Sequence, residues 1–121
     1  MSISTLAGLQ MLRALLSDEK RFCQGAMARD GAGRSCLPSL KDARAWCVIG
    51  GLEKIAWNGQ IDSVDPTREL DENLRARMLC AFQVSAKSKG HLEAVNTIND
   101  YKGWRVVLDI IDTAIQTEEG K

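Results

Sequence analysis

The sequence predicts a mainly α fold, a compact bundle of about four helices with a small β-hairpin or ordered loop between helices one and two. Two observations carry most of that expectation. Apolar residues recur at helical spacing in "STLAGLQMLRALLS", "DPTRELDENLRARMLCAFQVSAK" and "WRVVLDIIDTAIQ", and too little of the chain reads as strand to build a large sheet. A third is the glycine-rich corner "ARDGAGR", whose turn chemistry separates the two short segments "FCQGAMA" and "RSCLP". At 121 residues the expected organisation is one domain, 1–121, with a polar tail from about 117, long enough to bury a core without disulfides or metal.

Helix one follows from Leu6, Leu9, Leu12, Leu15 and Leu16 on one stripe, with Ser4 placed to cap it and an end near Ser17. "DEKR" is a polar break, and the hairpin or loop occupies the stretch from Phe22 to Cys36. Pro38 stops the extended segment and Ser39 or Asp42 caps helix two, expected over residues 42–57. Gly50 and Gly51 inside it each cost about 1 kcal/mol relative to alanine, so the pair predicts a close neighbour, another backbone being the natural one. "NGQIDSVD" reads as a loop, and helix three starts with Asp65 as its cap and Pro66 at its first position. Its apolar face is Leu70, Leu74, Met78 and Phe82. "HLEAVNTI" fits either a short strand or one to two helical turns. Helix four carries Trp104, Val107, Leu108, Ile111 and Ile115 on one stripe, and "TEEGK" is expected to fray.

Composition excludes several function classes. Lysine plus arginine and aspartate plus glutamate are 16 each, which leaves no global field for nucleic acid or an anionic membrane. Arg75, Arg77, Lys87 and Lys89 on helix three read as a solvated charged face, so no nucleic-acid partner is expected. The N-terminal segment lacks the basic start and cleavage site of a signal peptide, and no apolar run reaches the ~18 residues of a membrane span. A cytoplasmic protein with reduced thiols and no membrane partner is therefore expected, its cysteines buried as small hydrophobes.

"FCQGAMARD" at 22–30, "AWCVIGGL" at 45–52 and "IND" at 98–100 together resemble an uncharacterised family of small bacterial, actinobacterial and phage-associated proteins. Its members carry aromatic-x-Q-G-x-x-A-R-D, then W-C-x-x-G-A-L and W-N-D. The resemblance covers roughly residues 6–116 and singles out Gln24, Gly25, Asp30, Trp46, Cys47, Gly50, Leu52, Asn99 and Asp100. This chain departs from the pattern at Phe22, Gly51 and Ile98, the last replacing an aromatic next to Asn-Asp, which favours packing over ligand contact there. The resemblance implies an architecture and, through its phage association, a host-interaction or anti-defence setting; it brings no activity.

Cys23, Cys36, Cys47 and Cys80 have no C-x-x-C pair, and His91 is the lone histidine, so no metal site and no cofactor is expected. Thiol catalysis would need Cys47 activated by a helix N-terminus or by His91, with Gln24 or Asn99 as oxyanion donor or histidine orienter. Cys47 falls in the second turn of the expected helix two, and Trp46 and Cys47 read as core. The polar residues Gln24, Arg29, Asp30, Asn99 and Asp100 form the remaining constellation. They are expected to meet where the hairpin approaches the start of the last helix, chiefly to satisfy backbone groups of loops and helix ends. A ligand pocket walled by Trp46 and Trp104 is the alternative. The function expected is a non-enzymatic binding module for a protein or for itself, with Trp57 partly exposed at the end of helix two and a small-molecule ligand left open. The competing class is a thiol-dependent hydrolase or transferase using Cys47 and His91.

Overall fold

The computed structural model describes residues 3–58 and 70–121. Within them the chain is mainly helical, with a three-stranded antiparallel sheet. Helix α1 (Thr5–Leu15) is capped by Ser4, whose hydroxyl accepts the Ala7 N–H at 3.0 Å. After a 3-10 turn at Glu19–Arg21, strands β1 (Ala28–Asp30), β2 (Ser35–Cys36) and β3 (Ala43–Trp46) form the sheet in the order β2-β1-β3. Helix α2 (Val48–Asn58) follows at once. Helix α3 (Glu72–Ser88), a short turn α4 (Val95–Thr97), a π-helical turn (Ile98–Lys102) and helix α5 (Trp104–Glu119) complete the described chain.

The largest departure from the sequence reading is at residues 42–46, where strand replaces the start of helix two. Alanine and arginine favour helix, yet β1 offers Ala43, Ala45 and Trp46 a ladder, pairing Ala28 with Trp46 and Arg29 with Ala45. Propensity differences of a few tenths of a kcal/mol do not outweigh that pairing together with burial of Trp46. Trp46 is 2% exposed, and its indole N–H donates to the Pro38 carbonyl at 3.0 Å. The hairpin starts later than expected, at Ala28, and residues 23–27 form a loop that crosses to another part of the molecule.

Other boundaries moved less. Asp71 caps α3 through the Leu74 N–H at 3.0 Å, whereas the expected cap Asp65, Pro66 and most of the "NGQIDSVD" loop lie outside the described residues. "HLEAVNTI" resolves into helical turns, with no strand. The expected frayed tail is helical through Glu119, closed by an ion pair between Lys121 and Glu118 at 3.0 Å. Arg77 is no solvated charge: half-buried, it donates to the Thr5 hydroxyl at 2.7 Å and the Ile3 carbonyl at 2.9 Å, fastening the start of α1 to α3.

One apolar cluster joins these elements. Leu9, Leu12, Leu15 and Leu16 of the first helical segment meet Leu52 and Ile55 of α2, Leu74, Met78 and Phe82 of α3, and Val107, Ile110 and Ile111 of α5. Each side chain of this size stabilises the fold by about 1.5–3 kcal/mol when buried. The two glycines of α2 have the role their cost implies. A Cβ on Gly50 would overlap the Met27 backbone carbonyl, and one on Gly51 would press on the Leu12 side chain. The helix is therefore seated against the loop that precedes β1 and against α1. Among the described residues no helix is long and apolar enough to cross a membrane.

Candidate functional site

The polar constellation separates into two places. Asn99, 1% exposed in the π-helical turn, reaches the first turn of α2 with its Oδ1, which accepts the Val48 N–H at 2.9 Å. Its Nδ2 donates to the Cys23 carbonyl at 3.1 Å and to Asp100 Oδ1 at 3.0 Å. Gln24 Nε2 donates to the Asn99 carbonyl at 3.0 Å, and Asp100 Oδ1 accepts the Gly25 N–H at 3.0 Å. Gly25 has φ +78°, a conformation glycine adopts without strain, and this lets the loop turn its amide toward Asp100. Asn99 and Asp100 precede Gly103, where α5 is set off by a backbone with φ +91°, so they lie in a separate turn before the last helix.

Asp30 does not join this group. Its Oδ1 accepts the Ala32 and Arg34 N–H groups at 2.9 and 3.0 Å, and its Oδ2 pairs with the Arg34 guanidinium at 3.2 Å. Those amides, with the guanidinium, hold its carboxyl below the usual range. Arg29 links the two places, donating to the Gln24 carbonyl and the Gly33 carbonyl, both at 3.1 Å.

Cys47 is the residue immediately before α2, not in its second turn, because the helix begins six residues later than expected. Its Sγ accepts the Gly50 N–H at 3.2 Å, its carbonyl accepts the Gly51 N–H at 2.7 Å, and the Ile49 amide also faces the sulfur. The Cys47 carbonyl thus takes the first helical bond, and the N–H groups that no helix can pair within itself are met otherwise: Cys47 by the Met27 carbonyl at 3.0 Å, Val48 by Asn99, and Ile49 and Gly50 by the Cys47 sulfur. Burial pushes the Cys47 thiol up, against the pull of the Gly50 and Ile49 amides. Cys23, beside it, is pushed up to about 11 by burial and then by the neighbouring Cys47.

His91 stands at the far end of α3, its backbone N–H bonded to the Ala86 carbonyl at 2.9 Å. No hydrogen bond joins it to Cys47 among the described residues. Trp104 is half-buried and donates to the Leu16 carbonyl at 2.7 Å; Trp57 is half-buried on α2. Burial, the usual fate of reduced cysteines, holds for Cys23 and Cys47, whereas Cys36 is half-buried and Cys80 exposed. Among the described residues no group of three or more His, Cys, Asp or Glu side chains is arranged to hold a metal ion.

Residues that sequence reasoning passed over lie on the other side of the π-helical turn. Tyr101 is 84% exposed and Leu92 79% exposed. The ion pair between Lys102 and Glu93 at 3.2 Å draws their neighbours together. The available signal was the single tyrosine of the chain, directly after Asn-Asp in a polar run.

A model of a family of unknown function (DUF6197) matches residues 2–117, so the chain belongs to that family. No curated protein and no solved structure matches it.

Proposed function

We propose that this member of a family of unknown function is a protein-binding module whose contact surface is the π-helical turn, with Tyr101 and Leu92 as its apolar anchors. The observation that carries the reading is a large aromatic side chain, 84% exposed, on a backbone fixed from beneath by a fully buried asparagine. Tyrosine gives wide apolar contact with a polar tip, and a surface ordered before binding loses little further entropy on association. π-Helical turns also cluster at functional sites.

The test compares the wild type with the double variant Leu92→Ser, Tyr101→Ala as bait in extracts of the source cells, both shown by circular dichroism to be folded. The reading expects the double variant to lose proteins that the wild type retains. Identical retained sets would remove the π-helical turn as the contact surface. Sedimentation of the purified pair tells self-association from a separate partner.

The thiol-enzyme reading keeps one supporting feature, the Ile49 and Gly50 amides aimed at the Cys47 sulfur, a setting that stabilises thiolates when solvent can reach them. Burial opposes it. Rapid labelling of Cys47 by a small thiol electrophile at pH 6 would revive that reading, and protection until unfolding would end it.

A further inference from the structure

Away from the Asn99 junction, a groove of about 310 Å³ runs between the start of α1, the middle of α3 and the last turns of α5. Cys80, the one exposed cysteine of the four, lies in its wall three residues after Arg77 and four before Val84, so the three share a helix face. Two further features of the same wall ask for a ligand. Ser85 is 4% exposed and lines the groove, yet its hydroxyl has no hydrogen-bond partner among the described residues. A buried hydroxyl left so is costly and rare. Arg77 spends its donors on neutral oxygens, those of Asn73 at 2.6 Å, Thr5 at 2.7 Å and Ile3 at 2.9 Å, and pairs with no carboxylate among the described residues. Lys121 at the rim is already matched by Glu118. The groove thus holds one uncompensated positive charge, one unused hydroxyl and one accessible thiol over an apolar floor that includes Ala114.

We infer that Cys80 is a site of mixed-disulfide formation with a small carboxylate-bearing thiol, delivered as its disulfide and seated in this groove. The Cys80 thiolate attacks one sulfur of the incoming disulfide, a new S–S bond forms to Sγ, and the old S–S bond breaks. The departing half leaves as a thiolate and takes up the proton that Cys80 lost. Cys80 is oxidised and the departing half reduced, so the exchange balances without another oxidant. Arg77 attracts the carboxylate and Ser85 offers the bound half a hydrogen bond.

The experiment treats the native protein with oxidised glutathione or with the neutral bis(2-hydroxyethyl) disulfide and follows adducts by intact mass and peptide mapping. The ratio of the two rates is then measured again on the protein unfolded in urea. The native ratio at Cys80 is expected to exceed the unfolded one by about threefold or more and to fall toward it in 0.5 M salt, as an attraction between nearby charges requires. Arg77→Lys is expected to keep the preference and Arg77→Gln to lose it; the salt series on the wild type decides the matter if Arg77→Gln does not fold. Equal native and unfolded ratios, a salt-independent preference, or an adduct at another cysteine would overturn the inference.

Discussion

The Asn99 junction and the Asp30 corner use the same kinds of side chain to different ends. Both place a short polar side chain against backbone N–H groups. At the corner, Asp30 serves amides two and four residues ahead in an exposed turn, where water would serve them nearly as well. At the junction, Asn99 joins Val48 and Cys23, 51 and 76 positions away, in a place almost closed to solvent. What separates them is the alternative open to each backbone group once its partner is removed. A buried amide without a partner bears its full desolvation penalty, whereas an exposed one turns to solvent.

Asn99→Ala has the largest expected effect at the junction. It leaves the Val48 N–H and the Cys23 carbonyl buried without their partner, and at about 1–3 kcal/mol for each such group the expected loss is about 3–5 kcal/mol. Urea denaturation at pH 7 measures it. A loss below about 1 kcal/mol would mean that water enters the junction, and the distinction between the two sites would vanish. Asp30→Ala in the same assay serves as the corner's counterpart and is expected to shift the midpoint far less.

Two glycines extend the comparison to the backbone. Gly50 lies where a side chain would overlap the Met27 carbonyl, and backbone on both sides leaves little room to yield. Gly50→Ala is expected to cost about 3 kcal/mol, at the upper end for overpacking. Gly33 at the corner has φ +81° and open space around it, so Gly33→Ala meets only backbone strain, about 1 kcal/mol. Thermal melts of the two variants check the order; equal shifts would mean that the loop carrying Met27 moves aside freely.

These contrasts mark how far the sequence could be read. Helix α1, its Ser4 cap and the stripe of α5 are local, periodic features, and each stands in the structure close to where spacing puts it. The close packing at Gly50 was legible because its helical cost demanded a cause, although the partner carbonyl was not. Residues 43–46 misled because alanine and arginine carry no strand signal of their own; the ladder with β1 makes the strand. That shift carried Cys47 from inside a helix to its N-terminal boundary. Gln24, Asn99 and Asp100 are legible as neighbours and do meet, whereas Asp30, polar like them and in the same stretch as Gln24, is satisfied within its own turn. Tyr101 was invisible for the opposite reason, since exposure of a single aromatic leaves no periodic trace.

The junction's buried thiols give a third contrast, at alkaline pH. The Cys23 thiol is raised to about 11 in the folded protein, above its unfolded value, so between those two values the folded state holds more protons than the unfolded one. Stability must then fall as pH rises through that window. The urea midpoint is expected to drop between pH 9 and 11, and Cys23→Ala to flatten that drop after its own cavity cost is subtracted. An unchanged slope in Cys23→Ala would place the ionising group elsewhere.

At acid pH the corner should answer instead, and with the smallest effect. The Arg34 and Ala32 amides and the Arg34 guanidinium favour ionised Asp30, so its folded carboxyl titrates below its unfolded one. In the interval between the two values the unfolded chain binds more protons, and stability rises with pH there. The contribution of Asp30 is therefore complete above the unfolded value and is lost as pH falls through the folded one. Because the turn is exposed, salt screens the guanidinium part of that contribution, and the two amides persist as the main source. Asp30→Asn keeps an acceptor oxygen but cannot ionise. Its melting temperature should lie below the wild type's at pH 7 and fall less steeply from pH 5 to 3, so that the two converge in acid. Parallel acid limbs would show that the corner contributes nothing measurable and that every ion-dependent tie of consequence lies elsewhere.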